Sequence, residues 1–340
     1  MTNVSIYKDI AARTGGDIYI GIVGPVRTGK STFIKQFMDK LVLPNISGDY
    51  QKERANDELP QSSSGRTIMT TEPKFIPEKG VQIKVDDSSA MNVRLIDCVG
   101  YIVPSALGYI EGDQPRMVMT PWFEEPIPFN MAAEIGTRKV INEHSTIGLV
   151  ITTDGSISDI PRSEYEEAEE RVIDELKAIN KPFIILLNCM YPESPEAQEL
   201  AQRLTEKYGI PVQPVNCLEL NEEDIKQILS RILFEFPIKE ICINFPRWIN
   251  SLPLDHWLRA ELTDTIKKSA ANVRHIRDIK CFETAFANSQ NADGAAVNGI
   301  DLGTGSADVM IKINNTLFYR VLAESTGLKI NDEQELMDSI

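Results

Sequence analysis

DIYIGIVGPVRTGKSTFIKQFMDKLVL, residues 17–43, joins an apolar run, a glycine-punctuated turn and an amphipathic run. The first part, Asp17–Val23, is short and rich in β-branched side chains, which predicts a buried strand. From Lys30 onward Phe33, Ile34, Phe37, Met38 and Leu41 recur at three- and four-residue steps, which predicts a helix to Leu43. Between them GPVRTGKS (Gly24–Ser31) fits G-x-x-x-x-G-K-[ST] in the strand-to-helix setting that gives the pattern its meaning. Glycines there let main-chain N–H groups turn inward on a phosphate at the positive end of a helix dipole. Lys30 would reach the β- and γ-oxygens, and the Ser31 hydroxyl would ligate Mg²⁺.

Moving outward, VQIKV (Val81–Val85) and NVRLIDCVG (Asn92–Gly100) predict a hairpin. Further strands are expected at Ile147–Thr152, Phe183–Leu187 and within IPVQPVN, alternating with helices at Ser194–Tyr208 and Glu222–Phe234. SEYEEAEERVIDELKAI opens with a capping box, Ser163 and Glu166, and presents Tyr165, Ala168, Val172, Leu176 and Ile179 as an apolar face. This alternation predicts an α/β fold, a mostly parallel sheet with helices on both faces. After Pro237 the texture changes. One helical face carries Leu258, Leu262, Ile266, Ala270 and Val273, a Gly/Asn/Ala/Asp-rich passage follows, and VMIKIN reads as a strand. We therefore expect a first domain at 1–236 and a smaller α+β domain at 237–340.

Asp97 ends the apolar run of VRLIDC, and Asp97-Cys98-Val99-Gly100 fits the Asp-x-x-Gly of a magnesium-sensing switch. An acid closing a buried strand is costly unless a metal or its water meets it. A threonine should cover Mg²⁺ and sense the γ-phosphate. In RTIMTTEPKF the candidates are Thr70 or Thr71, with Thr67 less suited and a Thr-rich edge strand the plain alternative. The candidate nucleotide-binding set is Gly24, Arg27, Thr28, Gly29, Lys30, Ser31 and Thr32, joined by Gly100 and Asn188. Arg27 would lend charge to the site or simply face solvent. Tyr101 stands where a Ras-like enzyme places a water-orienting glutamine, so hydrolysis is expected to be slow or assisted.

A G-protein-like sheet presents Asn-Lys-x-Asp at the end of the strand Phe183–Leu187, where the Asp reads guanine. Here the positions read Asn188-Cys189-Met190-Tyr191. A site that reads a base by hydrogen bonds discriminates by roughly 10⁴–10⁵, and losing the reader removes that preference. ATP is the expected nucleotide, with Met190 or Tyr191 as apolar surface for adenine and Asp154 a weaker substitute reader.

With 35 basic and 50 acidic residues among 340, the net charge of −15 argues against a generalised nucleic-acid or anionic-membrane footprint and leaves room only for a local basic patch. No stretch approaches the ~18 apolar residues of a membrane span, and the N-terminus lacks a signal-peptide pattern. The five cysteines lie singly on apolar stretches, as expected of reduced, buried thiols in a cytosol. His144, His256 and His275 are too dispersed for a metal site.

Seven strings, DIAARTGGDIYIGIVG, VRTGKSTFIKQFM, TIMTTEPKF, LIDCVGY, PWFEEPIPF, AAEIGTRKVI and EHSTIGLVITTDGSI, are far more specific than a phosphate loop. With them the chain resembles, over essentially its whole length, the stage IV sporulation protein A family of spore-coat morphogenetic ATPases. The resemblance implies a P-loop domain related to translation-factor GTPases that has lost guanine specificity and hydrolyses ATP with Mg²⁺. It implies Lys30 as the Walker A lysine, Asp97 as the Walker B acid, and Thr70 and Thr71 as switch threonines, with Ser31, Asp97 and the threonines toward the metal. It further implies self-assembly into a polymer at the forespore surface in the mother-cell cytoplasm, and association with other coat morphogenetic proteins. Family members run longer, with a C-terminal domain tied to the forespore membrane through a small amphipathic protein. This chain stops at NDEQELMDSI, inside what resembles the middle domain, so docking is expected to depend on a segment outside it. The long segment from Tyr101 to Glu143 is read either as a nucleotide-responsive polymer contact or as an insertion packed on its own domain.

Overall fold

The computed structural model describes residues 3–46, 48–60, 73–84, 90–112, 114–287, 289–328 and 330–338. The chain forms two compact units, Met1–Leu233 and Phe234–Ile340, dividing three residues ahead of the expected 236/237 boundary.

The first unit runs α1 (Asn3–Thr14), β1 (Asp17–Val23), α2 (Lys30–Phe37), α3 (Asp49–Asp57), β2 (Lys74–Lys84) and β3 (Ala90–Asp97). Two short ribbons follow, β4 (Ile110–Glu111) with β5 (Gln114–Pro115), and β6 (Met117–Val118) with β7 (Ile127–Pro128). Then come α4 (Phe129–Lys139), β8 (Ile147–Thr153), α5 (Glu166–Ala178), β9 (Phe183–Asn188), α6 (Pro195–Tyr208), β10 (Val212–Val215) and α7 (Glu222–Phe234). The sheet order is β10-β9-β8-β1-β3-β2, with β2 alone antiparallel. Every residue of β8 and β9 is buried, which is why these strands are continuous apolar runs rather than alternating ones. Because β1, β3, β8, β9 and β10 are parallel, their carboxyl ends open on one rim, the usual ligand edge of such a sheet.

Several local expectations change. The helix after the glycine loop stays continuous, but past Phe37 it widens into a π turn over Met38–Val42 while Met38, Leu41 and Val42 remain buried. The polar stretch after Asn45 carries α3, which buries only Ala55 and so has no apolar period to announce it. The capping box at Ser163 does not form. Arg162–Glu164 make a 3₁₀ turn held by Arg162 on Glu169 and by Ser105 on Glu164, so α5 starts at Glu166. Ile179 is exposed, and Ile173 takes its place in the buried stripe. Ser194 does cap α6, accepting from the Ala197 N–H at 3.2 Å, and Gly209 ends it in the left-handed region. From the segment after Gly100, Tyr101, Val103, Ala106, Val118, Phe129, Ala132 and Ala133 join the main hydrophobic cluster.

The second unit contains β11 (Glu240–Asn244), α8 (Arg247–Asn250), α9 (Trp257–Ala270), α10 (Cys281–Ala287), β12 (Gly294–Asp301), β13 (Ser306–Lys312), α11 (Asn315–Thr326) and α12 (Glu333–Asp338). Its sheet is β11-β13-β12, with β11 parallel and β12 antiparallel to the central β13. Leu258, Leu262, Phe282, Phe286, Val309 and Ile311 form its core. The expected helical face ends at Ala270, although Val273 still packs against that core. β12 arises from the Gly/Asn-rich passage, a composition poor in strand formers, and pairs with a register shift between Val297 and Gly299.

Candidate nucleotide site

At the carboxyl end of β1 the chain turns sharply. Gly24 has φ +137°, and a Cβ on it would lie 2.3 Å from the Ile151 carbonyl oxygen. Gly29 has φ +93°, with a hypothetical Cβ 2.2 Å from Asn188 Nδ2. Gly100, at φ +91°, would place a Cβ 2.2 Å from the Gly24 carbonyl oxygen and 2.7 Å from Lys30 Nζ. These three positions admit backbone alone, which leaves a cradle lined by peptide groups. Arg27 also sits in the left-handed region at φ 64°, a conformation costing a non-glycine residue roughly 1–2 kcal/mol. It is half-buried, and its charge lowers the Tyr165 pKa against the upward push of burial.

Lys30, buried at the start of α2, donates to the Pro25 carbonyl at 2.5 Å and to Gly24 at 3.4 Å. Burial pushes its pKa down, and Cys98 and Asp97 pull it back. Thr28 Oγ1 also donates to Pro25, at 3.0 Å. Ser31 Oγ donates to Asp97 Oδ2 at 3.2 Å, joining α2 to the end of β3. Burial holds the Asp97 carboxyl above the usual carboxylate range, opposed by Lys30 and Ser31. Thr32, next on α2, is half-buried. Cys98 donates to the Ile22 carbonyl at 3.1 Å, and burial pushes its thiol up to about 11.

Asn188 closes the site from the other side. Its Nδ2 donates to the Thr28 carbonyl at 3.0 Å and its Oδ1 accepts from the Cys217 N–H at 3.0 Å, so one buried amide ties β9 to the glycine loop and to the loop after β10. Met190 and Tyr191 lie exposed beyond it. Asp154 Oδ1 accepts from the Ser156 N–H and hydroxyl at 2.9 and 2.7 Å, a local turn interaction. Tyr101 does not stand free at the switch. Val26 N–H donates to its carbonyl at 2.9 Å, its hydroxyl donates to Glu175 at 2.5 Å, and Arg171 lies 4.9 Å from its ring centroid.

The fold thus brings Gly24, Arg27, Thr28, Gly29, Lys30, Ser31, Thr32, Asp97, Gly100 and Asn188 to one rim. Thr67, Thr70 and Thr71 lie outside the described residues. Sequence reasoning missed the buried Glu169, which takes a bidentate Arg162 guanidinium at 2.7 and 2.8 Å, the Tyr208 hydroxyl at 2.8 Å and the Thr152 hydroxyl. The available signal was its position four residues after Tyr165, on the stripe facing the core. Cys98, Cys189 and Cys217 are buried as expected, but Cys242 is exposed and Cys281 half-buried. Among the described residues no group of three or more His, Cys, Asp or Glu is placed to hold a metal. Ser31 Oγ and Asp97 Oδ2 nonetheless fit Mg²⁺, which takes one or two protein oxygens and relies on phosphate and water for the rest. Among the described residues no helix is long and apolar enough to cross a membrane.

A glycine loop, a buried lysine and a buried acid stand together at the carboxyl rim of a mostly parallel sheet in a mixed α/β domain, an arrangement suited to binding a nucleotide. Residues 1–237 match the family described as Stage IV sporulation protein A, ATPase domain, and residues 238–340 match its middle domain. The chain is 49% identical over 338 residues to stage IV sporulation protein A of Clostridioides difficile (strain 630), covering 99% of this chain and 69% of that protein. Identity is 50% to the proteins so named of Bacillus anthracis and Bacillus subtilis (strain 168), covering 99% of this chain and 68% and 69% of theirs. The chain belongs to the stage IV sporulation protein A family.

Proposed function

We propose that the protein is a Mg²⁺-dependent ATPase that uses hydrolysis to reach an assembly-competent state and then polymerises as the basement layer of the spore coat. The observation that carries this reading is the Lys30, Ser31 and Asp97 set held around three backbone-only glycines. Mg²⁺, when bound, would neutralise phosphate charge. The glycine loop and the N-terminus of α2 cradle the phosphates, and Lys30 exchanges a loop carbonyl for phosphate oxygen. Ser31 and Asp97 would hold the metal directly or through water, and Thr70 or Thr71 would be the switch threonine that joins them. Arg27 adds positive charge beside the loop. Tyr101, committed to Val26 and Glu175, orients no water, so turnover is slow or assisted.

The strand order and the Asn188 clamp support a translation-factor GTPase-like ancestry, and the loss of Lys and Asp after Asn188 supports ATP over GTP. Assembly takes place in the mother-cell cytoplasm at the forespore surface. Self, other coat morphogenetic proteins and a small amphipathic membrane-anchoring protein are the partners, the last reached through a segment beyond this chain. A regulatory GTPase would need a base-reading carboxylate, and Asp154 is held in its own turn. A relic scaffold has no physical reason to keep Lys30, Ser31 and Asp97 together. Hydrolysis of ATP and GTP in parallel, with Lys30→Ala, tests the chemistry: ATP turnover should exceed GTP turnover and fall at least about a hundredfold in the variant. GTP turnover equal to ATP would remove the ATP reading. Sedimentation of the full-length protein with and without ATP tests assembly, and nucleotide-independent polymers would favour the scaffold.

A further inference from the structure

Gly100 backs onto the phosphate cradle with no side chain to hold it there. A Cβ at this position would lie 2.2 Å from the Gly24 carbonyl oxygen and 2.7 Å from Lys30 Nζ, so bare backbone sits beside the buried amine. A glycine accepts the φ of +91° because it lacks a side chain, and for the same reason it has no anchor of its own. Its neighbours must set its position, and on the carboxyl side that neighbour is Tyr101.

Tyr101 is held at both ends. Its main chain bridges Pro25, and its carbonyl accepts the Val26 N–H at 2.9 Å, inside the glycine loop. Its side chain is buried, and the hydroxyl donates to Glu175 Oε2 on α5 at 2.5 Å. Burial and the adjacent carboxylate hold this hydroxyl far above its ordinary pKa, so it stays a donor. Glu175 is fixed in turn, because its other oxygen accepts from Arg138 on α4 at 3.2 Å. One turn earlier on α5, Arg171 donates twice to Glu134 of α4, at 2.8 Å each, and lies 4.9 Å from the Tyr101 ring centroid. Glu134 and Arg138 are four residues apart on α4, as Arg171 and Glu175 are on α5, so two ion-pair rungs join the helices. Each rung is partly exposed and weak alone. Together they orient the carboxylate that receives the hydroxyl, and Tyr101 touches one residue of each.

We propose that Tyr101 is a positioning residue: by spanning from the glycine loop to Glu175 it sets Gly100 against Lys30 and so fixes the seat of the terminal phosphate. This rests on the phosphate-site reading above and gives a role to a residue that orients no water. Without the hydroxyl the ring keeps its packing but loses its fixed end, and the Gly100–Tyr101 peptide gains play. A misplacement of about 1 Å at a reacting centre can cost roughly a hundredfold in rate. A diphosphate, held by the glycine loop and the N-terminus of α2, does not depend on that peptide.

Tyr101→Phe, Glu175→Leu and Glu175→Gln provide the test, read by amide exchange of the nucleotide-free chain, calorimetric ADP binding and ATP turnover with Mg²⁺. In Tyr101→Phe the Val26 amide should exchange about tenfold faster, and kcat for ATP should fall about tenfold while KM and ADP affinity change by less than about twofold. Glu175→Leu should match it, and the double variant should be no slower than either single one. Glu175→Gln keeps an acceptor oxygen and should retain at least about a third of kcat. Unchanged Val26 exchange, unchanged kcat, additive losses in the double variant, or a Glu175→Gln as slow as Glu175→Leu would overturn the proposal. So would ADP affinity falling in step with kcat, the mark of a merely structural role. No ATP turnover by the unaltered protein would remove the ATPase reading instead, and Val26 exchange alone would then decide whether Tyr101 holds the loop.

Discussion

The two units bury polar groups in different ways. In the first, Thr28, Lys30, Asp97, Thr152, Thr153 and Asn188 are buried near one rim of the sheet, and Glu169 is buried behind it. In the second, the buried polar side chains among the described residues are Glu235 and Ser269, and Ser269 only donates back to its own helix at Thr265 O, 2.9 Å away. Burying a polar group is unfavourable unless it is paired. A cluster of such groups around a glycine cradle marks where the chain gives up apolar packing, and among the described residues the second unit has no counterpart.

The largest effect that would break this contrast is expected at Glu169. Glu169→Ala leaves Arg162 without its carboxylate and should lower stability by about 3–5 kcal/mol, read by urea unfolding. A small loss would mean that the first unit's interior charges are dispensable. Gly100→Ala comes next, because its Cβ would meet the Gly24 carbonyl and its φ is left-handed. A penalty of about 2 kcal/mol should fall on the site, so nucleotide affinity should drop by more than tenfold while the second unit keeps its hydrogen-exchange protection. Asn188→Ala should lose about 1–3 kcal/mol, since it strips partners from the Thr28 carbonyl and the Cys217 N–H. Faster amide exchange at Cys217 would locate that loss.

The last effect belongs to the second unit and is read as a dependence on pH. Burial raises the Glu235 pKa from 4.5 to about 7, with Arg277 pulling it down. The folded state therefore holds this proton between about pH 4.5 and 7 while the unfolded state has released it. Stability should fall as pH rises through that window and flatten above pH 7. Protection of the Val309 and Ile311 amides should follow that curve, and Glu235→Gln should remove this component.

Much of the first unit is legible in the order of its residues. Its strands are apolar runs because both faces of a parallel sheet are covered, and that pattern survives in one dimension. Lys30, Ser31 and Asp97 stand out because each is a polar residue at the boundary of an apolar element. The helix α3 and the strand β12 are not legible, since one buries almost nothing and the other is built of Gly and Asn. The capping box at Ser163 misleads because Arg162 is taken by Glu169 on the following helix and Glu164 by Ser105, which is distant in sequence, and these hold the turn instead.

The sequence by itself determined the glycine loop at Gly24–Ser31, the acid at Asp97 and most of the first unit's alternation of buried strands and amphipathic helices, because spacing along the chain dictates them. It also determined that the guanine-reading carboxylate is missing. Only the tertiary structure decided that Asn188 clamps the glycine loop to the loop after β10, that Tyr101 is committed to Val26 and Glu175, and that Asn216 holds Met190 and Leu218 together. Apart from the Asn216–Leu218 turn, those contacts join residues far apart in the chain, and the direction of a hydrogen bond at a sheet rim follows from strand order and register, which no local pattern records.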